Sequence, residues 1–326
     1  MNLRIKQWMT WTAAALMVAS GAAATAADNY PSRPITIIVP FPAGGTTDSI
    51  ARIVGAKLSE RLHQQVIIDN RAGAGGNIGA VMLARADGDG YTLMAAPPGP
   101  LTINFNLYKE LQFDPRKFVP ISMIANMPNV LVVGPSVHAK TVQELVSYAK
   151  ANPGKLSFAS QGNGTTSHLT GIYFASKVGI NISHVPYKGS APALNDLIAG
   201  RIDLMFDNVT TTLPFHNAKK ATILAVATKK RIASVPDVPT TAEAGVPGFE
   251  SGTWVTLVAP EGTPPAIAAR LSKEIAEIIK LPDVLARFAS FGAEPVGGTP
   301  AQTATSLREE AARWKTVIDT AHVTIE

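Results

Sequence analysis

Two short loops carry residue types that suit an anionic ligand. The sequence PFPAGGTTD over residues 40–48 and the sequence SQGNGTTSH over residues 160–168 each follow an apolar run typical of a strand and precede a helical pattern. Glycines in such loops let backbone N–H groups approach a ligand, and the positive end of the following helix dipole attracts negative charge. A phosphate and a carboxylate satisfy this chemistry equally well.

The spacing of the glycines argues against a nucleotide ligand. A phosphate-binding loop of the G-x-x-x-x-G-K-[ST] type ends in glycine, lysine and a hydroxyl residue, and no stretch of the chain supplies that ending. The dinucleotide fingerprint G-x-G-x-x-G also fails, because Ile78 and Ser167 occupy the position of its third glycine in GAGGNIG and GNGTTSH. The loops therefore favour a carboxylate.

Gly44, Gly45 and Thr46 in the first loop have two interpretations. The same residue types form ordinary tight turns with a helix N-cap. Because a similar loop occurs in each half of the chain, we favour a carboxylate cradle. Asp48 falls in the first helical turn, where the helix dipole stabilises a carboxylate. Selection of a ligand ammonium or hydroxyl group is the alternative role of Asp48.

The second loop offers a matching set in Gly162, Gly164, Thr165 and Thr166. The threonine hydroxyls can donate hydrogen bonds to an anion. His168 lies about one helical turn further on, where capping or packing is favoured over contact with a ligand.

A third candidate position is the end of the strand IDLMFDN, where Asp207 and Asn208 lie. Ligands of α/β sheets bind at the carboxyl ends of the strands. Lys188, in the sequence PYKG, also lies between a strand and a helix and could reach the rim of a cleft, although an exposed lysine is usually solvated surface.

Catalytic and metal-binding motifs are missing from the sequence. The chain has no G-x-S-x-G elbow and no cysteine, and its six histidines lie far apart rather than at metal-ligand spacing. We therefore expect a binding protein without a metal or a cofactor, and not an enzyme.

Strand and helix patterns alternate along the chain with short Gly/Pro breaks, which is typical of mostly parallel sheets flanked by helices. The alternation starts again near residue 129, and the last elements are too many for a simple tail. The sequence therefore predicts an α/β protein of two lobes, with strands near 121–133 and 221–228 crossing between them. The predicted boundaries are 28–126 plus 226–326 for lobe 1 and 127–225 for an inserted lobe 2.

The amino terminus has the pattern of an export signal over residues 1–27: two basic residues, an apolar stretch and small residues. Without cysteine there is neither a lipid anchor nor a disulfide, and the mature chain lacks an apolar run of the roughly 18–20 residues that span a bilayer. We expect a soluble periplasmic protein. Removal of Arg4 and Lys6 lowers the formal charge from +5 to +3, an excess too small to indicate nucleic-acid binding.

The chain as a whole resembles the Bug family, the substrate-binding receptors of tripartite tricarboxylate transporters. The stretches that carry the resemblance are YPSRPITIIVPFPAGGTTDSIAR, NRAGAGGNIGA, DGYTLMAAP, SFASQGNGTTSHL, VPYKGSAPALNDLIAGRIDLMFDN, LAVATKKRIASVPDVPTTAEAGVPGFE and TWVTLVAPEGTP. The resemblance implies a two-lobed periplasmic binding protein of type II, a Venus flytrap that closes over a small mono- or dicarboxylate. It also implies delivery of the ligand to a membrane permease pair.

The resemblance also implies which residues line the cleft. The positions that match are Phe41, Ala43, Gly44 and Gly45 on one side, Gly162, Asn163, Gly164, Thr165 and Thr166 on the other, and the acidic Asp207. Docking of the same flytrap to a signalling partner instead of a permease is the alternative function. A monomer is the default expectation for the oligomeric state.

Overall fold

The computed structural model of the protein describes residues 30–290, residues 292–320 and residue 323. The predicted export signal lies outside these residues. The chain begins with β1 Ile35–Val39, α1 Thr46–Leu62, β2 Val66–Asn70, α2 Asn77–Ala84, β3 Thr92–Ala96, α3 Asn104–Leu107 and the long strand β4 Val119–Val133.

The middle of the chain repeats the alternation of strands and helices. Its elements are α4 Val142–Ala151, β5 Ser157–Ser160, α5 Thr166–Val178, β6 Ser183–Pro186, α6 Ser190–Ile198, β7 Leu204–Asn208, α7 Val209–Asn217 and β8 Thr222–Val226. The chain then continues through β9 Gly252–Ala259, α8 Pro265–Ile278, α9 Pro282–Ser290, β10 Glu294–Gly297 and α10 Pro300–Thr320.

The strand β4 belongs to the sheets of both lobes. Its first part pairs antiparallel with β9 and β10, and its second part pairs antiparallel with β7 and β8. The first sheet has the order β2-β1-β3-β9-β4, and the second has the order β4-β7-β5-β6. Around β1 and β5 the pairing is parallel, as predicted. Each sheet is mixed, because β9 and β10 run against β1, β2 and β3 in the first sheet, and β4 runs against β5, β6 and β7 in the second.

The chain returns to the first lobe after Ser251, later than the predicted boundary at residue 225. Phe249 is buried in the core of the second lobe, so the Pro-rich stretch before it packs there. The return is fixed by two backbone hydrogen bonds, from Ser251 N to Ala227 O at 2.9 Å and from Asn129 N to Ser251 O at 3.1 Å. The chain therefore crosses first within β4 and again at Ser251, just before β9, whereas β8 stays within the second sheet and β9 within the first.

The helix α1 shows how the sequence pattern builds the first lobe. Its apolar residues recur at helical spacing and form one buried face against the sheet. They are the residues predicted for that face, namely Ile50, Ile53, Val54, Leu58 and Leu62. This packing holds the amino-terminal end of α1 at the carboxyl end of β1.

The last helix, α10, packs against both lobes. Trp314 is 3% exposed and lies in one apolar cluster with Ile318, Ile103 and Leu169. The predicted packing role of Trp314 is therefore confirmed. Of the helices in the described ranges, none has both the length and the apolar character that a membrane span requires.

Candidate functional site

The two lobes meet across a closed cleft. Asn208 Nδ2, at the end of β7, donates a hydrogen bond of 3.0 Å to Thr46 Oγ1 at the start of α1. Close by, the ring of Pro42 reaches Gly189 so tightly that a Cβ atom on this glycine would lie 3.1 Å from it. These contacts join segments of different sheets, so the cleft is shut in this structure.

A small cavity of about 30 Å³ lies at the bottom of the cleft. Residues of the first sheet's loops and of the crossing strand line one side, namely Phe41, Pro42, Ala43, Gly45, Thr46, Thr47, Pro97 and Thr253. Residues of the second lobe line the other, namely Gln161, Gly189, Ser190, Ala191 and Asn208. A space of this size holds about one water molecule or the head of a carboxylate.

Three helices begin at this cavity. The N-cap residues are Gly45 for α1, Gly189 for α6 and Asn208 for α7, and none of them caps its helix with a side-chain hydrogen bond. The first N–H groups of a helix have no partner inside the helix, and they carry the positive end of its dipole. Three such ends around one small space create a site for negative charge.

The charge of the site comes from these dipoles and not from ionised side chains. Within the described part of the chain, no lysine, arginine, aspartate or glutamate lines the small cavity. Hydroxyl groups of Thr46, Thr47 and Ser190 and the amides of Gln161 and Asn208 supply further hydrogen-bonding groups. An anion bound here would be held by neutral donors, which is the arrangement the glycine-rich loops predict.

Asp48 lies behind the first loop and not in the wall of the cavity. Its carboxylate accepts hydrogen bonds from Gly44 N at 2.9 Å, Arg52 Nε at 2.9 Å and Asn70 Nδ2 at 3.0 Å. Burial opposes its ionisation, but these hydrogen bonds, led by that of Arg52, lower the pKa of Asp48. Asp48 thus holds the first loop through Gly44 N, and its contact with a ligand stays a prediction.

Asp207 also lies behind the cavity wall. Its side chain is fully buried and accepts hydrogen bonds from Gln161 Nε2 at 2.5 Å, Ser190 Oγ at 3.0 Å and Thr211 Oγ1 at 2.8 Å. Burial raises the pKa of Asp207, and the hydrogen bonds oppose that effect. Two of its donors, Gln161 and Ser190, line the cavity. Asp207 thus positions them from behind.

The second loop is arranged differently from the first. Thr165 Oγ1 accepts a hydrogen bond from His168 N at 3.3 Å and donates to Gly162 O at 2.7 Å, so it caps α5. Thr165 and Thr166 are buried, and with Gly164 they lie outside the lining of the small cavity. Their predicted contact with a ligand stays a prediction, and in the closed structure the donors from this lobe come from α6 and α7.

Two stacked histidines pack against the second loop and hold it through a hydrogen bond to Ser160. The rings of His168 and His184 are 4.1 Å apart, and His184 Nε2 shares a hydrogen bond of 2.7 Å with Ser160 Oγ. That hydroxyl accepts a hydrogen bond from Gly162 N at 3.1 Å. Burial lowers the pKa of His168 to about 3 and that of His184 to about 4. His168 therefore packs as a neutral ring, as predicted.

A second, larger cavity of about 240 Å³ adjoins the first. Phe41, Pro42 and Gln161 line both, so the two spaces share a wall. Predicted residues Gly162 and Asn163 line the larger one, together with the glycine-rich turn 72–76, Tyr108 and the segment 186–188. Of the predicted set, Phe41, Ala43, Gly45 and Thr46 line the small cavity, whereas Gly44, which is exposed, and Asp48 do not.

Several lining residues were missed from the sequence. Gly189 and Ser190 follow a strand and open a helix, so the reasoning used for the two glycine-rich loops could have found them. Gln161 lies in the second glycine-rich loop but was not itself predicted, and Thr253 and Pro97 lie outside both glycine-rich loops. Their position depends on how distant segments pack, and the sequence gives no signal for it.

Together, the fold and the site define a class: the chain is a two-lobed periplasmic binding protein with its ligand cleft between the lobes. The family described as the tripartite tricarboxylate transporter family receptor matches residues 50–323. The chain belongs to this family, which confirms the resemblance seen in the sequence.

Relatives and solved structures agree with this assignment. The protein BugT of Bordetella pertussis is 38% identical over 299 residues, 91% of this chain and 92% of that protein. The structure of R. palustris Rpa4515 with adipate has a TM-score of 0.88 and 40% identity, covering 90% of this chain and 99% of the other. MatC from Rhodopseudomonas palustris with bound malate has a TM-score of 0.84 and 33% identity, covering 89% and 100%.

Proposed function

We propose that this protein is a periplasmic receptor that captures a small organic carboxylate between its lobes and delivers it to a membrane permease pair. One observation carries the proposal: three helix amino termini without capping side chains surround one cavity that no charged side chain lines, within the described residues. Such a site suits a carboxylate head, because backbone N–H groups and hydroxyls can surround both of its oxygens.

The two lobes each supply half of the proposed site. Gly45 and Thr46 belong to the first lobe, and Ser190, Ala191 and Asn208 belong to the second. A ligand bound to one half gains the second set of hydrogen bonds only on closure, so it shifts the population towards the closed form. The adipate and malate bound to the structures of two similar proteins support a carboxylate as the ligand. Catalysis is not part of the proposal, and the ligand leaves unchanged.

The side chains that line the two cavities favour a ligand without an ammonium group. An α-ammonium group needs a carboxylate or several carbonyl oxygens as partners, and an unpaired buried charge is strongly unfavourable. The residues that line the two cavities, as far as the structure describes them, include no acidic side chain. Succinate and aspartate differ only by this ammonium group and therefore form a matched pair of ligands.

The first prediction is a thermal-shift experiment on the mature protein with acetate, succinate, adipate, benzoate and aspartate. A ligand that binds only the native state at about 100 times its Kd stabilises it by about 2.7 kcal/mol, which raises the Tm of a protein of this size by about 4 °C. We expect such a shift for at least one carboxylate and none for aspartate. NMR of the recovered ligand checks that it is unaltered. Absence of a shift with every carboxylate, or turnover of a ligand, would contradict the proposal.

A further inference from the structure

The volume of the larger cavity indicates the size of the carboxylate that the site accepts. Its volume of about 240 Å³ is eight times that of the cavity that would hold the head group. A four-carbon acid would leave most of it unfilled. An apolar cavity of about 150 Å³ accommodates benzene, so the larger cavity has room for a ring or for a chain of similar size.

The walls of the larger cavity combine apolar and aromatic side chains with glycine backbone and two side-chain amides, and the apolar surface is slightly the larger part. Phe41 stands where the two cavities join, and Tyr108 and Tyr187 lie further out. The hydroxyl group of Tyr187 donates a hydrogen bond of 2.7 Å to Asp196 Oδ2, which holds its ring in place. Burial raises the pKa of Tyr108, so its phenol stays protonated and neutral. Phe41 and Tyr108 thus offer apolar ring surface to the body of a ligand, and Tyr187, held by Asp196, fixes the segment 186–188 of the wall.

A basic side chain, that of Lys188, lies at the mouth of the larger cavity. Lys188 is the single ionisable basic residue among those described that line the larger cavity, and no acidic residue accompanies it. It is exposed, so it lies at the mouth and not in the depth. An anionic group at the far end of a ligand would meet this ammonium group, whereas a ligand with a positive far end would be repelled.

From these observations we infer that the ligand is an elongated carboxylate with a bulky apolar body of six or more carbons, aromatic or aliphatic, and a second anionic group near Lys188. The head carboxylate lies among the three helix ends, the body passes Phe41 into the larger cavity, and the far anion ends at its mouth. This inference rests on the proposed function and narrows its substrate class.

Isothermal titration calorimetry on the mature protein tests the inference with two ligand series. The monocarboxylates acetate, butyrate, hexanoate and benzoate test the apolar cavity, and the dicarboxylates succinate, adipate and terephthalate test the far anion. Each buried CH₂ group tightens binding about fourfold, so we expect hexanoate and benzoate to bind at least about tenfold more tightly than acetate. Adipate or terephthalate should bind more tightly than the monoanion of equal length.

Two variants separate the parts of the inference. Lys188→Met should weaken the binding of adipate or terephthalate about five- to tenfold and leave the binding of hexanoate unchanged. Lys155→Met, at an exposed lysine outside the cavities, is the control and should change the binding of neither ligand. Ala72→Leu, which fills the larger cavity, should weaken benzoate at least about tenfold and spare acetate. Ala266→Leu, on the exposed face of α8, is its control.

The outcomes of the calorimetry distinguish this inference from the proposed function. If no carboxylate of either series binds, the proposed function fails. If succinate or acetate binds as tightly as the six-carbon and aromatic acids, the receptor function stands and the inference about the ligand is overturned. If Lys188→Met weakens the binding of long monoanions and dianions equally, the inferred second anionic group near Lys188 is overturned.

Discussion

At the scale of single residues, the carboxylate of Asp207 is the group whose placement decides the shape of the site. It is fully buried, where the loss of hydration opposes ionisation and raises its pKa. A hydrogen bond to a charged group contributes roughly 1.5–3 kcal/mol. Three side-chain donors therefore offset part of a burial cost of several kcal/mol, and the pKa stays raised. Since two of these donors, Gln161 and Ser190, line the small cavity, the buried carboxyl group fixes the groups that a ligand would meet.

His184 gives the second prediction, which concerns how the stability of the protein depends on pH. Its folded-state pKa of about 4 lies below the ordinary value of 6.5 because the ring is desolvated. Between these values the unfolded chain binds a proton that the folded protein does not, so stability is lost as the pH falls from about 6.5 towards 4. The ring is partly buried, so we expect His184 to contribute about 1 kcal/mol, or about 1–2 °C in Tm, to the loss between pH 7.5 and pH 5.

The variant His184→Gln tests this origin of the pH dependence, because a glutamine amide can keep the hydrogen bond to Ser160 without titrating. Scanning calorimetry at pH 7.5 and pH 5 should show a smaller loss of Tm for the variant than for the wild type. His138→Gln, at an exposed histidine, is the matched control and should leave the loss unchanged. A loss of the same size in His184→Gln would assign the effect to other groups.

Part of the residue-level site could be read from the sequence, and part could not. Gly45 and Thr46 were predicted because glycine and hydroxyl residues at a strand-to-helix turn have a local physical reason. Gln161 has no such reason. It reaches the cavity wall through a hydrogen bond to Asp207, a residue 46 positions away in the chain. Contacts at that separation depend on the packing of the whole lobe, which a local pattern does not specify.

At the scale of elements, the helix ends differ in how their N–H groups are satisfied. Thr165 caps α5 with its own side chain, whereas Gly45, Gly189 and Asn208 provide no such cap to their helices. A capped end has a partner for one of its free N–H groups, and an uncapped end keeps that group for another acceptor. The structure therefore favours α1, α6 and α7 as the anion-binding helices, although sequence similarity between two loops pointed to α1 and α5.

A charge placed at the start of α6 gives a prediction for the element as a whole. Ala191 is the second residue of this helix and lines the small cavity. Ala191→Asp should stabilise the helix by about 0.3–1 kcal/mol through the helix dipole. The same carboxylate should repel a bound anion and weaken carboxylate binding at least about 30-fold. Stability and affinity should thus change in opposite directions, which calorimetry of unfolding and of binding measures on one sample.

Ala191→Asn is the control for shape, because it adds nearly the same volume without the charge. Its affinity for the ligand should stay within about fivefold of the wild type. Equal losses in Ala191→Asp and Ala191→Asn would show that the cavity rejects a larger side chain, and would argue against an electrostatic site at the end of α6.

At the scale of the whole molecule, the alternation of strands and helices predicted two lobes, and the sheets confirm them. The sequence also predicted β4 as a crossing strand. It placed the return of the chain too early, because the stretch before Phe249 has no periodic pattern and yet packs in the second lobe. The sequence did not predict which loops meet across the cleft. Asn208 and Thr46 are 162 residues apart, and they touch only when both lobes are folded and closed.

Closure gives the last prediction, which compares two glycines of similar backbone conformation. Gly75 has a φ of 63° and Gly44 a φ of 79°, so an alanine at either position is strained by about 1 kcal/mol. A Cβ atom at Gly75 would lie 2.4 Å from Asn163 O of the opposite lobe, whereas one at Gly44 would meet nothing within 4 Å. Gly75→Ala should therefore prevent full closure, and Gly44→Ala should not.

Both variants should lose a similar few degrees of Tm, because the backbone strain is the same. Only Gly75→Ala should bind its carboxylate at least about tenfold more weakly, since the second half of the site cannot reach the ligand without closure. Small-angle scattering with saturating ligand should give a larger radius of gyration for Gly75→Ala than for the wild type and Gly44→Ala. A Gly75→Ala protein that compacts and binds like the wild type would show that the contact between the turn 72–76 and the loop at Asn163 does not limit closure.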